Sequence, residues 1–587
     1  MGLLKTIMTV FESYDPFARQ LADLLIRLMP PASPDVAQEL RRLLHFLVEQ
    51  TQAGVIAAPL KYLTPPLNRE LIATLTLVGK PFERKPLIIS ETHAWFYRYW
   101  QYEYELGQAL KELLQATEPP TQLKEAINNL FTTTSEIDWQ KIATVLALNQ
   151  RFMIISGGPG TGKTTTVTRI LALLLQLPSI HPSRIQLAAP TGKAAMRLQE
   201  SIKLAQQRLD LSSTLQQQLQ IPSQTLHRLL GYKPTSNTFS YHRERPLPVD
   251  VLVIDEASMM DIALMAKVLE ALPKTARLIL LGDKDQLAAV ETGSVFRDLC
   301  AHANNHFSSP VADRLKLFDI ELPNALGKAG LNDHIVVLEQ SYRFNTNSSI
   351  GQLAQAIKTA HFKQLSTVLK HPDAELEWIN QTSLAHDELI AGWSDYFAAV
   401  EQGDIEQCFQ TFNRYRILAP MRQGGRGTEL LNSKIEQLAS KRLPAASGTL
   451  RAQGWYVGRP VMVTKNDYVQ HLFNGDIGIA LMDSSGQLRV YFPDDKAGEY
   501  RSITPVRLPL YESAWAMTIH KSQGSEFDEV LLVMPDNTDN ALLGRELLYT
   551  GVTRTRKKLR LVASLEVLEV ALKRSTPSSS CILDWLN

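Results

Sequence analysis

Cysteine is scarce in this sequence: Cys300, Cys408 and Cys581 are far apart, and none belongs to a Cys-x-x-Cys pair. That excludes a disulfide scaffold and any zinc site legible from sequence, and it fits a reducing compartment. Long apolar runs are also missing. None approaches the roughly 20 residues that cross a bilayer as a helix, so no membrane association is expected. The first residues lack the extended apolar core and small-residue cleavage site of a secretory signal, which makes a cytoplasmic location the expectation. Charge of one sign is not in excess either: 61 Lys and Arg face 60 Asp and Glu, a formal net charge of +1. Any groove for nucleic acid must therefore be built from local charge. The remaining composition, 44% hydrophobic and 21% charged over 587 residues, is that of a globular chain with three or four domains.

The rest of the sequence is organised around Ile154 to Thr166, which contains Gly157-x-x-x-x-Gly162-Lys163-Thr164. This is the P-loop pattern that wraps nucleotide phosphates. Gly157, Gly158, Pro159, Gly160, Thr161 and Gly162 form a loop whose missing Cβ atoms let backbone N–H groups converge on a phosphate chain. Lys163 is expected to reach the β- and γ-phosphates of ATP, Thr164 to ligate Mg²⁺, and Thr165 to continue the phosphate-binding turn. The flanks agree, since Arg151 to Ser156 has strand character and Thr164 to Leu177 reads as a helix. A helix N-terminus then points its free amides at the anion.

A second apolar run, Val251 to Ile254, ends in Asp255-Glu256. A buried parallel strand would deliver both carboxylates at its C-terminal edge, Asp255 for Mg²⁺ through water and Glu256 to polarise the attacking water. The strand Ala276 to Leu281 leads to Gln286, placed to sense the γ-phosphate or the water. Arg343 is a candidate arginine finger, with a structural salt bridge as the alternative. Gln140, just upstream of the P-loop, reads either as a partner for the adenine N6 and N7 edge or as a surface glutamine.

Outside this machinery the sequence says less. Residues 1 to about 130 show amphipathic helical periodicity at 17–28 and 37–49, with an aromatic cluster at 95–102. That cluster reads first as packed aromatics, and otherwise as a stacking surface or partner interface. After the P-loop, Thr191 and Lys193 open a helix where a nucleic-acid phosphate fits. Thr225, His227 and Arg228 are further candidates for strand contact, His227 reading equally as a core-edge histidine. Residues 232–248 resemble an exposed hairpin. The second half reads as another αβ core without its own P-loop, with strands at 416–419, 529–534 and 558–563. Gly424 to Gly427 would place helix amides on a backbone phosphate, and residues 447–509 shift to alternating strands with a turn at Asn474-Gly475-Asp476.

Taken in order, GGPGTGKTTT, APTGKAA, TLHRLLG, VLVIDEASM, LGDKDQL and EQSYRF resemble motifs I, Ia, Ic, II, III and IV of superfamily 1 helicases. Trp515 to Phe527 is similar to their motif V, and Leu547 to Arg556 to their motif VI. The whole set most resembles the RecD family, the alpha subunits of bacterial exonuclease V, over about residues 135–570. The resemblance implies an α/β fold with two tandem RecA-like cores built on parallel sheets, at 131–345 and 346–587. It also implies a helical N-terminal domain at 1–130 and a small SH3-like barrel inserted at 447–509. ATP and Mg²⁺ would lie between the cores, with Arg343 and Arg554 reaching the γ-phosphate. Single-stranded DNA would be gripped by Thr191, Lys193, Thr225, His227, Thr518, His520 and Lys521.

The activity so implied is a 5′→3′ DNA translocase and helicase, the motor beside the beta and gamma subunits (RecB and RecC) in double-strand break repair and recombination. Polarity comes from the resemblance alone. A nuclease is expected only in a partner subunit, because no acidic metal cluster appears beyond the P-loop's own. Alternatives are a stand-alone RecD-like helicase, a nucleotide-bound subunit with an idle motor, and an RNA helicase of the same superfamily.

Overall fold

The computed structural model describes residues 16–28, 33–115, 120–131, 137–288, 293–322, 327–344, 348–380, 386–445, 448–467, 469–494, 498–576, 578 and 580–586. It begins with two helices, α1 (Pro16–Arg27) and α2 (Pro34–Gln52). Ser33 caps α2 by accepting from the Val36 amide at 3.3 Å, and Pro34 fixes the first turn. Ala22 of α1 packs with Leu40, Leu43, Leu44 and Leu47 of α2.

The N-terminal region is not purely helical, contrary to the expectation from sequence. Strands β1 (Ala58–Pro59), β2 (Val78–Gly79), β3 (Leu87–Ile89) and β4 (His93–Phe96) form a mixed sheet in the order β1-β4-β3-β2. Runs of two to four residues are too short to show a period of two, which is why they escape pattern reading. Helix α3 (Tyr97–Leu113) follows β4 directly. Its aromatics are packed: Trp100 is buried and stacks on Tyr104, centroids 5.5 Å apart.

The next stretch builds a six-stranded parallel sheet. In chain order it holds α4 (Trp139–Asn149), β5 (Phe152–Gly157), α5 (Lys163–Leu174), β6 (Ile185–Ala189), α6 (Gly192–Arg208) and β7 (Ser223–Thr225). There follow a small hairpin of β8 (Tyr232–Lys233) and β9 (Thr238–Phe239), then β10 (Val251–Ile254), α7 (Ile262–Ala271), β11 (Arg277–Gly282) and β12 (Ile335–Leu338). The strand order is β12-β5-β11-β10-β6-β7. Both faces are covered, so the central strands are apolar throughout. Met153 and Ile155 of β5 join one core with Val167 and Leu171 of α5, while Phe152 and Ile154 join the opposite core with Leu106 and Met265.

A second parallel sheet follows, with β13 (Leu376–Ile379), β14 (Tyr415–Ala419) and α8 (Thr428–Arg442). Between β14 and its neighbour, the chain inserts β15 (Pro460–Val463), β16 (Ile477–Met482), β17 (Leu488–Pro493), β18 (Tyr500–Ile503) and β19 (Tyr511–Ser513). These pair antiparallel in the order β18-β17-β16-β15-β19. Leu488, Val490 and Phe492 point inward from β17 at the period of two that a half-buried strand shows. The chain then returns through β20 (Ala516–Thr518), β21 (Phe527–Val533), α9 (Arg545–Thr553) and β22 (Thr555–Val562), giving the order β13-β22-β21-β14-β20.

Arg416 of β14 is fully buried, with its guanidinium 4.0 Å from the Phe412 ring centroid and a hydrogen bond to the Ala514 carbonyl. Trp515, in the connection from β19 to β20, donates to the Tyr456 hydroxyl at 3.0 Å and ties that connection to the segment leading into β15. The last helix, α10 (Ile582–Leu586), returns to α3. Ile582 is buried, the Cys581 amide bonds the buried Glu103 carboxyl, and Ser580 donates to Asp298 at 2.6 Å.

Trp585 lies so close to Gly107 that a Cβ there would stand 2.6 Å from the Trp585 Cβ. Gly107→Val should therefore undock α10 from α3, at a cost of about 1–3 kcal/mol. The expected outcome is a lower Tm, with protease cutting first near residue 578; an unchanged melt and digestion pattern would contradict this contact.

Candidate functional site

Parallel register brings the sequence-predicted groups to one edge. Ser156 of β5 pairs with Gly282 of β11, and Leu280 of β11 with Ile254 of β10. The P-loop, Asp255-Glu256 and Asp283 thus all leave the sheet at its C-terminal side, where ligands of open αβ sheets bind. Gly160 and Gly162 have φ of +77° and +85°, values that L-residues rarely adopt. At Gly162 a Cβ would also collide with the Gln140 amide, 2.3 Å away. Lys163 folds back on the loop and donates to the carbonyls of Gly157 at 2.6 Å and Gly158 at 3.2 Å. Helix α5 starts at Gly162 with no side-chain cap, so its first amides are available to an anion.

These groups line a cleft of about 620 Å³ with Gly160, Thr161, Thr164, Thr165, Asp255, Glu256 and Gln286. Arg343 and Arg554 line the same cleft. Gln140 is also at its wall, but its amide is engaged at both ends: Nε2 donates to the Thr161 carbonyl at 3.0 Å, and Oε1 accepts from Arg169 at 2.7 Å. Gln286 donates to Asp283 at 2.9 Å, and the Tyr549 hydroxyl of α9 bonds the same carboxylate. Burial, and then Asp285, push the Asp283 carboxyl above its usual range. Arg554 is almost wholly buried and donates to the carbonyls of Ser525 at 3.2 Å and Thr550 at 3.3 Å. Arg343 pairs with Glu526 at 2.7 Å.

Glu256 sits at φ +51°, a left-handed conformation that costs a non-glycine residue on the order of 1 kcal/mol or more. Its amide donates to Asp255 at 2.9 Å. Burial, and then the neighbouring Glu256 charge, raise the Asp255 pKa to about 6, while Lys163 opposes the shift. Two adjacent carboxylates face one ammonium, and the Thr164 hydroxyl lies on the same wall. Oxygen donors with surplus negative charge beside a phosphate loop fit a hard divalent cation such as Mg²⁺. Among the described residues no group of three or more His, Cys, Asp or Glu is placed to hold a metal by itself.

The predicted strand-contact residues lie on both parallel units. Thr191 and Thr225 cap their helices by accepting from Ala194 at 3.2 Å and Arg228 at 3.3 Å. They end neighbouring strands, since Ala189 pairs with Thr225. Lys193 is exposed on α6. His227 is exposed and stands edge-on to Tyr232 of the hairpin, centroids 5.5 Å apart. On the second unit Thr518 accepts from the Lys521 amide at 3.3 Å, and Lys521 pairs with Glu512 at 2.7 Å. Burial lowers the His520 pKa and favours its neutral ring. The two sets adjoin, because Arg197 of α6 donates to the Gly524 carbonyl at 3.0 Å.

Sequence reasoning missed several lining residues: Arg169, Arg197, Tyr342, Glu526 and, over the P-loop, Tyr549. Glu526 and Tyr549 lie inside recognised segments but carry no signature of their own. Arg197 was findable, one helical turn beyond Lys193 on α6.

Two families match segments of the chain. The AAA-domain family matches residues 140–292, and the UvrD-like helicase C-terminal domain matches 513–562. Fold, cleft and matches together define the class, a P-loop NTPase of the helicase type. The RecBCD enzyme subunit RecD of Haemophilus influenzae is 35% identical over 520 residues, covering 83% of this chain and 79% of that protein. The ATP-dependent RecD2 DNA helicase of Deinococcus radiodurans is 30% identical over 434 residues, covering 74% of this chain and 50% of that protein. A solved structure of Bacteroides Pif1 bound to single-stranded DNA superposes with a TM-score of 0.38 at 18% identity, covering 74% of this chain and 94% of that one. The chain belongs to the RecD family. Among the described residues no helix is long and apolar enough to cross a membrane.

The raised Asp255 pKa has a stability consequence with a definite sign. Between about pH 4 and pH 6 the folded protein holds a proton that the unfolded chain has lost, so stability falls as pH rises through that window. Asp255→Asn should raise stability at pH 8 by on the order of 2 kcal/mol and leave it unchanged below pH 4. Thermal melts at both pH values check this; an equal effect at both would remove the titration argument.

Proposed function

We propose that this protein is an ATP-dependent DNA helicase that moves 5′→3′ on single-stranded DNA. In this reading it is the motor subunit of a RecBCD-type exonuclease V, beside RecB and RecC, in double-strand break repair and recombination. The observation that carries the reading is one cleft lined by Lys163, Asp255, Glu256 and Gln286 from the first parallel unit and by Arg554 from the second, with Arg343 at the junction. An idle nucleotide-bound subunit would have no use for a base, a sensor and two arginines in one place. The relatives' printed names support the DNA substrate and the complex.

The architecture assigned to this activity has a core at 131–345 with a hairpin insertion near 232–248, and a second core at 346–587. Both would be RecA-like, residues 447–509 an SH3-like barrel, and residues 1–130 an accessory domain that docks a partner. The uncapped amides of α5 and Lys163 hold the phosphate chain, and Lys163 leaves its loop carbonyls to do so. Tyr342, 67% exposed at the rim of the cleft, offers a ring on which a base stacks. Thr164 and Asp255 would hold Mg²⁺, which when bound neutralises charge on the β- and γ-oxygens. Glu256 polarises the attacking water and takes its proton, while Gln286 orients it.

Arg554 and Arg343 meet the charge that develops on the γ-phosphoryl group, an effect on the order of 10³- to 10⁵-fold in rate for one well-placed arginine. Because these cations come from both sides of the cleft, binding a triphosphate draws the two units together and product release lets them part. Thr191 and Lys193 on one unit, and Thr518, His520 and Lys521 on the other, grip backbone phosphates alternately, with Thr225 and His227 extending the track. Lys521 must exchange Glu512 for a phosphate to take part.

Lys163→Gln should lower strand-stimulated ATP hydrolysis roughly 100-fold or more with little change in Tm, since a glutamine amide keeps a donor for the loop carbonyls but carries no charge for the phosphates. Duplexes tailed at the 5′ or 3′ end, assayed with the RecB- and RecC-type subunits present, read out polarity. Wild-type turnover in the variant, or unwinding that needs a 3′ tail, would overturn the corresponding half of the reading.

A further inference from the structure

Glu526 lies between β20 and β21 in the second parallel unit, with its side chain only 9% exposed in the wall of the nucleotide cleft. Three guanidinium groups meet it. Arg343 pairs at 2.7 Å, Arg556 of β22 at 3.1 Å, and Arg197 of α6 makes a further short contact. Arg197 thus spans the cleft from the first unit, and its other amino group is fixed on the Gly524 carbonyl. Among the described residues the buried Nη1 of Arg343 finds no hydrogen-bond acceptor. The cleft is cation-rich, six lining Lys and Arg side chains against the three carboxylates Asp255, Glu256 and Glu526. Burial works to raise the Glu526 pKa, but Arg197 and Arg343 outweigh it and hold the value at about 2, so the group is charged at any working pH.

We propose that Glu526 is a stand-in anion. It holds Arg343 and Arg197 across the cleft before a triphosphate arrives, then releases Arg343 to the γ-phosphate. This rests on the ATP reading above. The physical basis is the cost of leaving a buried guanidinium without a counter-ion, which is several-fold larger than that of exchanging one anion for another. A finger parked on Glu526 stays extended and ordered, so little side-chain entropy is left to lose when phosphate replaces carboxylate. The buried Nη1 of Arg343 is a donor for which the described residues hold no acceptor, and a phosphate oxygen would supply one. Glu526 is in this sense a positioning residue, acting on the reaction through Arg343. It also makes the cleft discriminating, because only a ligand that reaches the arginines can displace the carboxylate; a diphosphate leaves the parked pair intact.

The test is Glu526→Gln, which keeps the shape and removes the charge. Calorimetric titrations of wild type and variant would use a non-hydrolysable ATP analogue, ADP and adenosine. Freed from competition, the arginines should bind the triphosphate about tenfold more tightly, ADP less than threefold more tightly, and adenosine no differently. Glu526→Asp, which restores the charge on a shorter stem, should return the triphosphate affinity toward the wild-type value. Equal weakening for all three ligands would show that the carboxylate binds the nucleoside directly, and would overturn the exchange. Unchanged affinities with a lowered Tm would make it an ordinary salt bridge and overturn it too. If wild type binds no triphosphate, or Lys163→Gln binds it equally well, the ATP reading fails instead.

Discussion

The register of the first parallel sheet is the constraint on which the site depends. Ser156 opposite Gly282, and Ile254 opposite Leu280, align three strand ends so that three different loops open at one edge. In a parallel sheet buried on both faces, a slip of one residue would turn every side chain of a strand to the wrong core. Alternate residues of β5 belong to separate hydrophobic clusters on the two faces, so a slip there is heavily penalised. The accuracy with which Lys163, Asp255 and Gln286 converge is inherited from that packing. The loops themselves then need little rigidity beyond the left-handed glycines at 160 and 162.

Register alone gives only half a site, because the arginines come from elsewhere. Around the cleft the two parallel units meet through polar contacts, beside the packing of Leu287 on the core of the second unit. The Leu287 amide donates to Thr550 at 2.8 Å, Gln523 donates to the Leu287 carbonyl at 2.6 Å, Lys358 pairs with Asp285 at 3.1 Å, and Arg297 with Glu546 at 2.8 Å. Thr550, Gln523 and Glu546 are buried, so breaking one of these contacts leaves a polar group that water or a ligand must satisfy. Asp283 couples the two sides most directly, holding Gln286 of its own unit and Tyr549 of the other.

How legible this was in the sequence follows from the length of each signal. The buried strands Val251–Ile254 and Arg277–Gly282 are continuous apolar runs closed by acidic residues, a signal of composition rather than of period, and they read as strands in the sequence. The N-terminal sheet did not, because Val78–Gly79 and Ala58–Pro59 are too short to give a period, and Ala58 finds its partner only at Ala94. Arg554 was assigned from its motif, yet its near-complete burial and carbonyl partners come only from folding. Lys521 read as a free phosphate ligand, whereas the fold gives it Glu512, nine residues away on β19. Glu526 was invisible for the same reason: one acid in a polar segment acquires meaning only when arginines from α6, β22 and the end of the first unit arrive around it.

A formal net charge of +1 conceals this arrangement, and the concealment has a physical cause. Surface acids elsewhere balance the cations of the cleft, so the sum is near zero while the local field is strong. A uniformly basic chain would bind any polyanion, with steep salt dependence and no preference for where along the molecule it sat. Concentrating the cations in one partly desolvated cleft raises the effective strength of each charge there. It also creates a standing cost, because like charges held together repel until an anion joins them. Asp255, Glu256 and Glu526 offset that repulsion in the resting protein, two of them beside Lys163 and one among the arginines. The division is uneven in a useful way. The Asp255-Glu256 corner sets two carboxylates against the one ammonium of Lys163, and burial, with the Glu256 charge second, raises the Asp255 pKa to about 6, so that corner favours a cation. The Glu526 corner is over-supplied with positive charge and favours an anion. A ligand that carried both signs in one body would satisfy the two corners together by lying across the cleft between them.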